Sequence, residues 1–175
     1  MDVRKQLLFK HSKENTNLIV SYISDNQKAF DQLMILFMSD ESRVTQRAAW
    51  VVGDIARIYP ELIAPHFKNL ILNLRKPGLH DAVKRNTLRI LQELYIPKPL
   101  WGEAADISFN FLLSKTEPIA IKVFSMTVLC NISKHVPEFR DELTLIIEDQ
   151  LPYSGAGFKS RGKKTLNALN KMKAH

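Results

Sequence analysis

A chain of 175 residues with 25 Lys and Arg, 18 Asp and Glu and one cysteine has the length of a single domain and enough apolar side chains to bury a substantial core. The formal charge of +7 is local: residues 1–40 balance at zero, residues 41–152 carry one net positive charge, and the last 23 residues carry six basic groups and no acid, which argues against a whole surface built for polyanions. Cys130 alone excludes an internal disulfide framework, the opening MDVRKQLLFKHSKE lacks the apolar stretch of a signal peptide, and the run from Leu33 to Met38 is too short to span a bilayer, so a cytoplasmic monomer without membrane contact is expected.

In chain order, residues 2–10 make a short helix with Val3, Leu7 and Leu8 on one face. Ser12 is placed to cap a second helix reaching about Ile23, with Leu18, Ile19 and Ile23 inward. A third runs from about Asn26 to Met38, with Phe30, Leu33, Met34 and Phe37 at helical spacing. Asp40-Glu41-Ser42 suits the start of a longer helix, both as caps and against its dipole. Along that helix Ala48, Ala49, Gly53 and Ala56 are small, which lets a neighbouring helix approach closely. Pro60 stops it, and Pro65 sits in the first turn of the next helix or kinks it. Leu62, Phe67, Leu70, Ile71 and Leu74 form the apolar stripe of that partner, and Lys76-Pro77-Gly78 breaks the chain.

The plan then repeats. Asp81 is a candidate cap for a helix carrying Val83, Thr87, Ile90, Leu91 and Leu94, and its partner carries Leu100, Trp101, Ala104, Ala105, Phe109, Phe111 and Leu112. A third copy has Ile121, Phe124, Val128, Leu129 and Ile132, then Phe139, Leu143, Ile146, Ile147 and Leu151. After a glycine-containing loop from Pro152 to Gly157, a final helix shows Phe158, Leu166, Leu169 and Met172 on one side. Sliding the sequence by 77 positions lays Val51 on Val128, Ile55 on Ile132 and Pro60-Glu61 on Pro137-Glu138. The copies start at 44, 83, 121 and 158, a period near forty with two helices per unit. This divides a single domain into a degenerate cap and first repeat (1–40), three central repeats (41–79, 80–117 and 118–157) and a basic capping helix (158–175).

Val44-x3-Ala48-Ala49-x-Val51-Val52-Gly53-x-Ile55-Ala56, followed by Pro60-Glu61, resembles the signature of the HEAT repeat, of the HEAT/armadillo type. Phe158-Lys159-x2-Gly162-x2-Thr165-Leu166-x2-Leu169 resembles its opening half. The resemblance implies an all-α, right-handed solenoid of antiparallel helix pairs, about four repeats long, acting as a binding scaffold. Gly53-Asp54-Ile55 through Pro60-Glu61-Leu62-Ile63 is also similar to the HEAT-like alkylpurine DNA glycosylases of DNA alkylation repair. That family uses a Trp and an Asp four residues apart and an Arg on the next repeat. Those positions fall here on Glu41, Thr45 and, near the Arg, Arg85. The carboxylate that would stabilise a glycosyl cation is therefore missing, and a non-catalytic protein is expected.

Other chemistry finds little support. Trp50 and Asp54 are four residues apart and share a helix face with Arg47, and the bland reading is an indole packed on the next repeat beside an Arg–Asp contact. His11, His66, His80, His135 and His175 have no metal-ligand spacing, and His80-Asp81 reads as a helix start. Cys130 takes the slot of Gly53 and reads as packed. Gly155-Ala156-Gly157 lacks a phosphate-loop pattern, so no cofactor is expected.

The basic residues offer two candidate surfaces. Lys84, Lys122 and Lys159 hold equivalent places at successive helix starts, and with Arg85 they could form a ladder along a groove. Lys159, Arg161, Lys163 and Lys164 place four cations in six residues beside a flexible Gly155-Ala156-Gly157 loop, a candidate polyanion grip. Against a continuous nucleic-acid groove stand Glu103, Asp106, Asp141, Glu142, Glu148 and Asp149 on the second helices of their repeats. The sequence thus points to a scaffold for a protein partner. The alternative is a nucleic-acid-binding protein related to the repair enzymes, with weak binding through the C-terminal basic helix.

Overall fold

The computed structural model of the chain describes residues 1–173, so Ala174 and His175 of the expected final helix lie outside the described residues. Every regular element among the described residues is helical. The α-helices are α1 (Val3–Phe9), α2 (Lys13–Ile23), α3 (Gln27–Phe37), α4 (Ser42–Ile58), α5 (Pro60–Ile63), α6 (Phe67–Asn73), α7 (Asp81–Leu91), α8 (Trp101–Leu113), α9 (Ile119–Ile132), α10 (Phe139–Gln150) and α11 (Ala156–Lys173). Single 3-10 turns at Ala64–His66 and Lys98–Leu100 join α5 to α6 and lead into α8.

Local chemistry sets most of these boundaries. Asp2, Ser12 and Asn26 each accept a hydrogen bond from a backbone N–H three residues on, at 3.0, 3.2 and 3.0 Å, and so start α1, α2 and α3. Glu41 stands at the corresponding place before α4 but gives no cap; its carboxylate binds Arg4 at 2.6 Å instead. The cap of α7 is His80, whose Nδ1 accepts from the N–H of Ala82 at 3.1 Å, while Asp81 lies in the first turn and pairs with Lys84 at 3.2 Å. Pro60 opens α5, where its missing N–H costs nothing, and Pro65 tightens the next turn into the 3-10 form that divides α5 from α6. Gly78, at φ 71°, supplies the left-handed turn before α7.

The backbone packs into two compact units, Met1–Tyr95 and a second beginning at Ile96, with the change falling inside the second sequence repeat. In the first unit α1, α2, α3, α5 and α7 all pack on α4. A helix so surrounded must be apolar or small over much of its circumference, and Val44, Ala48, Ala49, Val51, Val52, Ile55 and Ala56 are all buried. Phe30, Leu33, Met34 and Phe37 from α3 and Leu62, Ile63, Phe67, Leu70 and Ile71 from α5 and α6 complete that core. Each such large side chain contributes about 1.5–3 kcal/mol over leaving it in water. Polar ties fix α3 to the α5 segment: Gln27 donates to the Leu62 carbonyl at 3.0 Å, and Asp31 lies 2.7 Å from His66 Nε2.

In the second unit α9 takes the central place, with α8, α10 and α11 packed on it. Its buried Ile121, Val128, Leu129 and Ile132 are the counterparts of Val44, Val51, Val52 and Ile55, so the 77-residue shift reproduces the burial pattern. Phe109 and Phe139 meet edge to face at 5.8 Å, and Phe158 and Leu169 bury α11 against its neighbours.

Three expectations are corrected here. Leu18 is 47% exposed, because α2 lays only Thr16, Ile19 and Ile23 inward. Ala156 and Gly157 form the first turn of α11, so the final helix begins before Phe158 and the glycine loop is shorter than expected. Gly53 does not receive a neighbouring helix: a Cβ there would meet nothing within 4 Å. The glycine that permits close packing is Gly162, where a Cβ would lie 3.1 Å from Ile147 Cγ2 and 3.3 Å from Leu151 Cδ2. Gly162→Val is therefore expected to lower stability by about 1–3 kcal/mol through overpacking. Gly53→Ala should raise it by about 0.5–1 kcal/mol through helix propensity. Urea unfolding followed by circular dichroism checks both, and the reverse order would show the packing assignment to be wrong.

Candidate functional site

Once the inward positions of α4 are spent on the core, Trp50, Gly53, Asp54 and Arg57 remain as a stripe at helical spacing on its outer side. Packing α7 beside α4 sets Arg89 and Glu93 against that stripe, and the start of α2 brings Lys13. Together they wall a cleft of about 190 Å³ whose floor is Ala49, Gly53 and Ile90. Because Gly53 carries no side chain and nothing lies over it, the floor is open.

The charges in the cleft are arranged in a chain. Asp54, only 17% exposed, accepts from Lys13 Nζ at 3.0 Å and from the Arg57 guanidinium. Arg57 reaches across to Glu93 at 2.6 Å. Lys13–Asp54–Arg57–Glu93 thus ties α2, α4 and the segment after α7 together with alternating signs. Trp50 remains 41% exposed and is held in place on two sides. The His11 ring meets it edge-on at 5.2 Å and 83°, and Arg89 Cζ lies 5.2 Å from the indole centroid. Arg89 makes no hydrogen bond or ion pair among the described residues.

The expected Trp50–Asp54–Arg47 grouping is corrected in one member. Arg47 turns away and donates to the Leu7 carbonyl at 2.7 Å, satisfying an otherwise unpaired C=O near the end of α1. Asp54 takes Arg57 and Lys13 instead. With both oxygens engaged by cations, Asp54 is poorly placed as a general base. Thr45, in one of the glycosylase slots, is wholly buried and donates to the Ser39 carbonyl at 2.9 Å, while Glu41, in the other, holds Arg4. No cluster of three or more His, Cys, Asp or Glu able to hold a metal occurs among the described residues.

The basic candidates are placed unevenly. Lys84, 15% exposed, is paired with Asp81, and Lys122 donates to Gln150 Oε1 at 3.3 Å in a site where burial lowers its pKa. Arg85 is half-buried on α7. Arg161 donates to Thr127 Oγ1 of α9 and serves the docking of α11. Lys173 binds Asp141 at 2.6 Å and holds that carboxyl below the usual range. Lys163, Lys164 and Lys171 are exposed, Lys159 is half-buried, and none of the four has an ion-pair partner among the described residues.

Periodicity alone missed Lys13, Arg89 and Glu93, yet a signal was present. The first interval between repeats is 39 residues, and 39 positions beyond Trp50 and Asp54 stand Arg89 and Glu93. Positions one repeat apart are neighbours across stacked helices, so the outward pairs were there to be read.

Cys130 lies buried in α9, and burial pushes its thiol above the usual range, which suppresses the reactive thiolate. A thiol reagent should label it slowly in native buffer and rapidly in denaturant. Fast native labelling, followed by absorbance of the released reagent, would show that the position is open.

A family model described as a HEAT repeat domain matches residues 3–169. No curated protein and no solved structure matches the chain significantly. No helix among the described residues is long and apolar enough to cross a membrane.

Proposed function

The chain belongs to the HEAT repeat family, and from that premise we propose that it is a non-catalytic scaffold which binds a protein partner through the Trp50 cleft. The observation that carries this reading is the state of Trp50: exposed at the rim of an open cleft, yet fixed between His11 and Arg89. An aromatic side chain held in one place loses little freedom on binding, and tryptophans are common anchors of protein interfaces. Random heptapeptides displayed on phage and panned against the protein should yield binders that lose at least about tenfold in affinity to the Trp50→Ala variant, since anchor residues contribute roughly 2 kcal/mol or more. Failure to enrich any sequence, or binders indifferent to Trp50→Ala in a variant with an unchanged melting curve, would overturn it.

A second reading, nucleic-acid binding, is favoured by one observation on α11. Its solvent side carries Lys163, Lys164 and Lys171 without partners among the described residues, interleaved with Ser160, Asn167 and Asn170, and the described helix contains no acid. Lysines 163 to 171 extend over about 12 Å at the helical rise of 1.5 Å per residue, enough to follow a short stretch of phosphates. Of the four cations expected to grip a polyanion, Arg161 is committed to Thr127 and Lys159 is half-buried, so Lys163 and Lys164 remain and, with Lys171, make three lysines in solvent. Three phosphate contacts give a slope of about −2.7 for log K against log salt on duplex DNA. Lys163→Gln, Lys164→Gln and Lys171→Gln together should abolish that binding in a fluorescence-polarisation titration without altering the fold. No binding at low salt would remove this reading and leave the first untouched.

A further inference from the structure

We infer that the Trp50 cleft recognises an acidic side chain, an Asp or Glu of the partner next to an apolar residue, with Arg89 as the carboxylate receptor; this rests on the protein-binding reading above. Arg89 carries the argument. Its guanidinium carbon lies over the Trp50 indole, 5.2 Å from the ring centroid, and the side chain has no hydrogen bond or ion pair among the described residues. A cation–π contact uses the charge and no N–H bond, so the N–H fork that binds a carboxylate through two parallel hydrogen bonds is unused. Glu93, four residues on and the nearest carboxylate in sequence, is already engaged by Arg57 at 2.6 Å. Arg89 is thus a fixed, unspent donor at the wall of an open cleft.

The charge balance selects the ligand. Lys13, Arg57 and Arg89 line the cleft against Asp54 and Glu93, one positive charge in excess. A single carboxylate neutralises that excess. A phosphodiester chain or a dianionic phosphate would bring further negative charge against Asp54 and Glu93, which is unfavourable at close range. The cleft, about 190 Å³, is smaller than the usual pocket for a whole small molecule and fits a side chain with part of its neighbour. The open floor at Gly53 and the exposed indole supply an apolar rest for that neighbour. A chain terminus is disfavoured. The α4 and α7 walls are helix interiors whose backbone N–H groups are used within the helices, so they offer no main-chain donors to a terminal carboxylate, and Lys13, from the first turn of α2, is held through its side chain by Asp54.

The test uses the two indole N–H resonances of the intact protein. Trp101 Nε1 is fixed by its bond to the Ile96 carbonyl at 2.7 Å, so its signal serves as an internal reference, and a Trp50→Phe spectrum assigns the other. Acetyl-Leu-Glu-amide should shift the Trp50 resonance saturably and leave that of Trp101 in place. Acetyl-Leu-Gln-amide, of equal size and without charge, should bind at least about tenfold more weakly, since a hydrogen-bonded charge pair contributes about 1.5–3 kcal/mol. Arg89→Met, which keeps the stem over the indole, should lose the preference for Glu over Gln; Arg89→Lys should retain part of it. Equal binding of both dipeptides, an unchanged preference in Arg89→Met, tighter binding of inorganic phosphate, or no shift with either dipeptide each overturns the inference. Binding of neutral peptides that still depends on Trp50 would remove only the carboxylate specificity, whereas panned peptides indifferent to Trp50→Ala remove the underlying reading.

Discussion

Surrounding one helix by several others is the constraint from which the rest of this structure follows. In the first unit α4 is packed by α1, α2, α3, α5 and α7, and in the second α9 is packed by α8, α10 and α11. Helix axes in contact lie 8–10 Å apart, so side chains at the contact must be small where helices cross and large where gaps open between them. Ala48, Ala49 and Ala56 meet the first requirement on α4, and Val44, Val51, Val52 and Ile55 the second. On α9, Ser125 takes the place of Ala48, and its hydroxyl has no hydrogen-bond partner among the described residues. A central helix can be small and apolar at such positions in only a few ways, which is why the two cores resemble each other at a distance of 77 residues.

That constraint makes most of the fold legible in the sequence. Helical spacing located Phe30, Leu33, Met34 and Phe37 in the core, and Ser12, Asn26 and Pro60 sit at the boundaries their chemistry favours. What escaped is of a different kind. Periodicity says which side of a helix is apolar, but it does not say which neighbour arrives there or how near. Gly53 and Gly162 are both glycines on repeat helices, yet one opens onto a cleft and the other lies against Ile147 and Leu151. Leu18 misled for a related reason: a leucine one position from the centre of a stripe faces solvent when its helix has few neighbours on that side.

The candidate site was half legible. Trp50 and Asp54 stood out as chemistry-bearing residues on the outer side of α4, but the companion assigned to them was wrong. Arg47 is three residues before Trp50 and seven before Asp54, so helix geometry permits contact on either side. The choice was made by a carbonyl of α1, Leu7, that needed a donor. Such a demand comes from a distant piece of chain and has no local signature. The same applies to Arg161, which local composition placed in a cationic patch and which Thr127 draws toward α9.

Sequence period and spatial neighbourhood are the same quantity in a stacked array, and this gives the outer positions their capacity for function. Residues one repeat apart face each other across adjacent helices, as Trp50 faces Arg89, and as the Asp54–Arg57 turn of α4 faces Glu93. Opposite or complementary chemistry at equivalent outer positions therefore makes a cross-helix contact without any change to the core. Where one such pair is fully satisfied, as Arg57 with Glu93, it fixes the helices in register. Where one is satisfied by a ring contact only, as Arg89 on Trp50, its N–H donors stay without a hydrogen bond among the described residues. A repeat protein of this kind can thus gain an open surface feature by leaving one outer pair incomplete while its neighbours are closed.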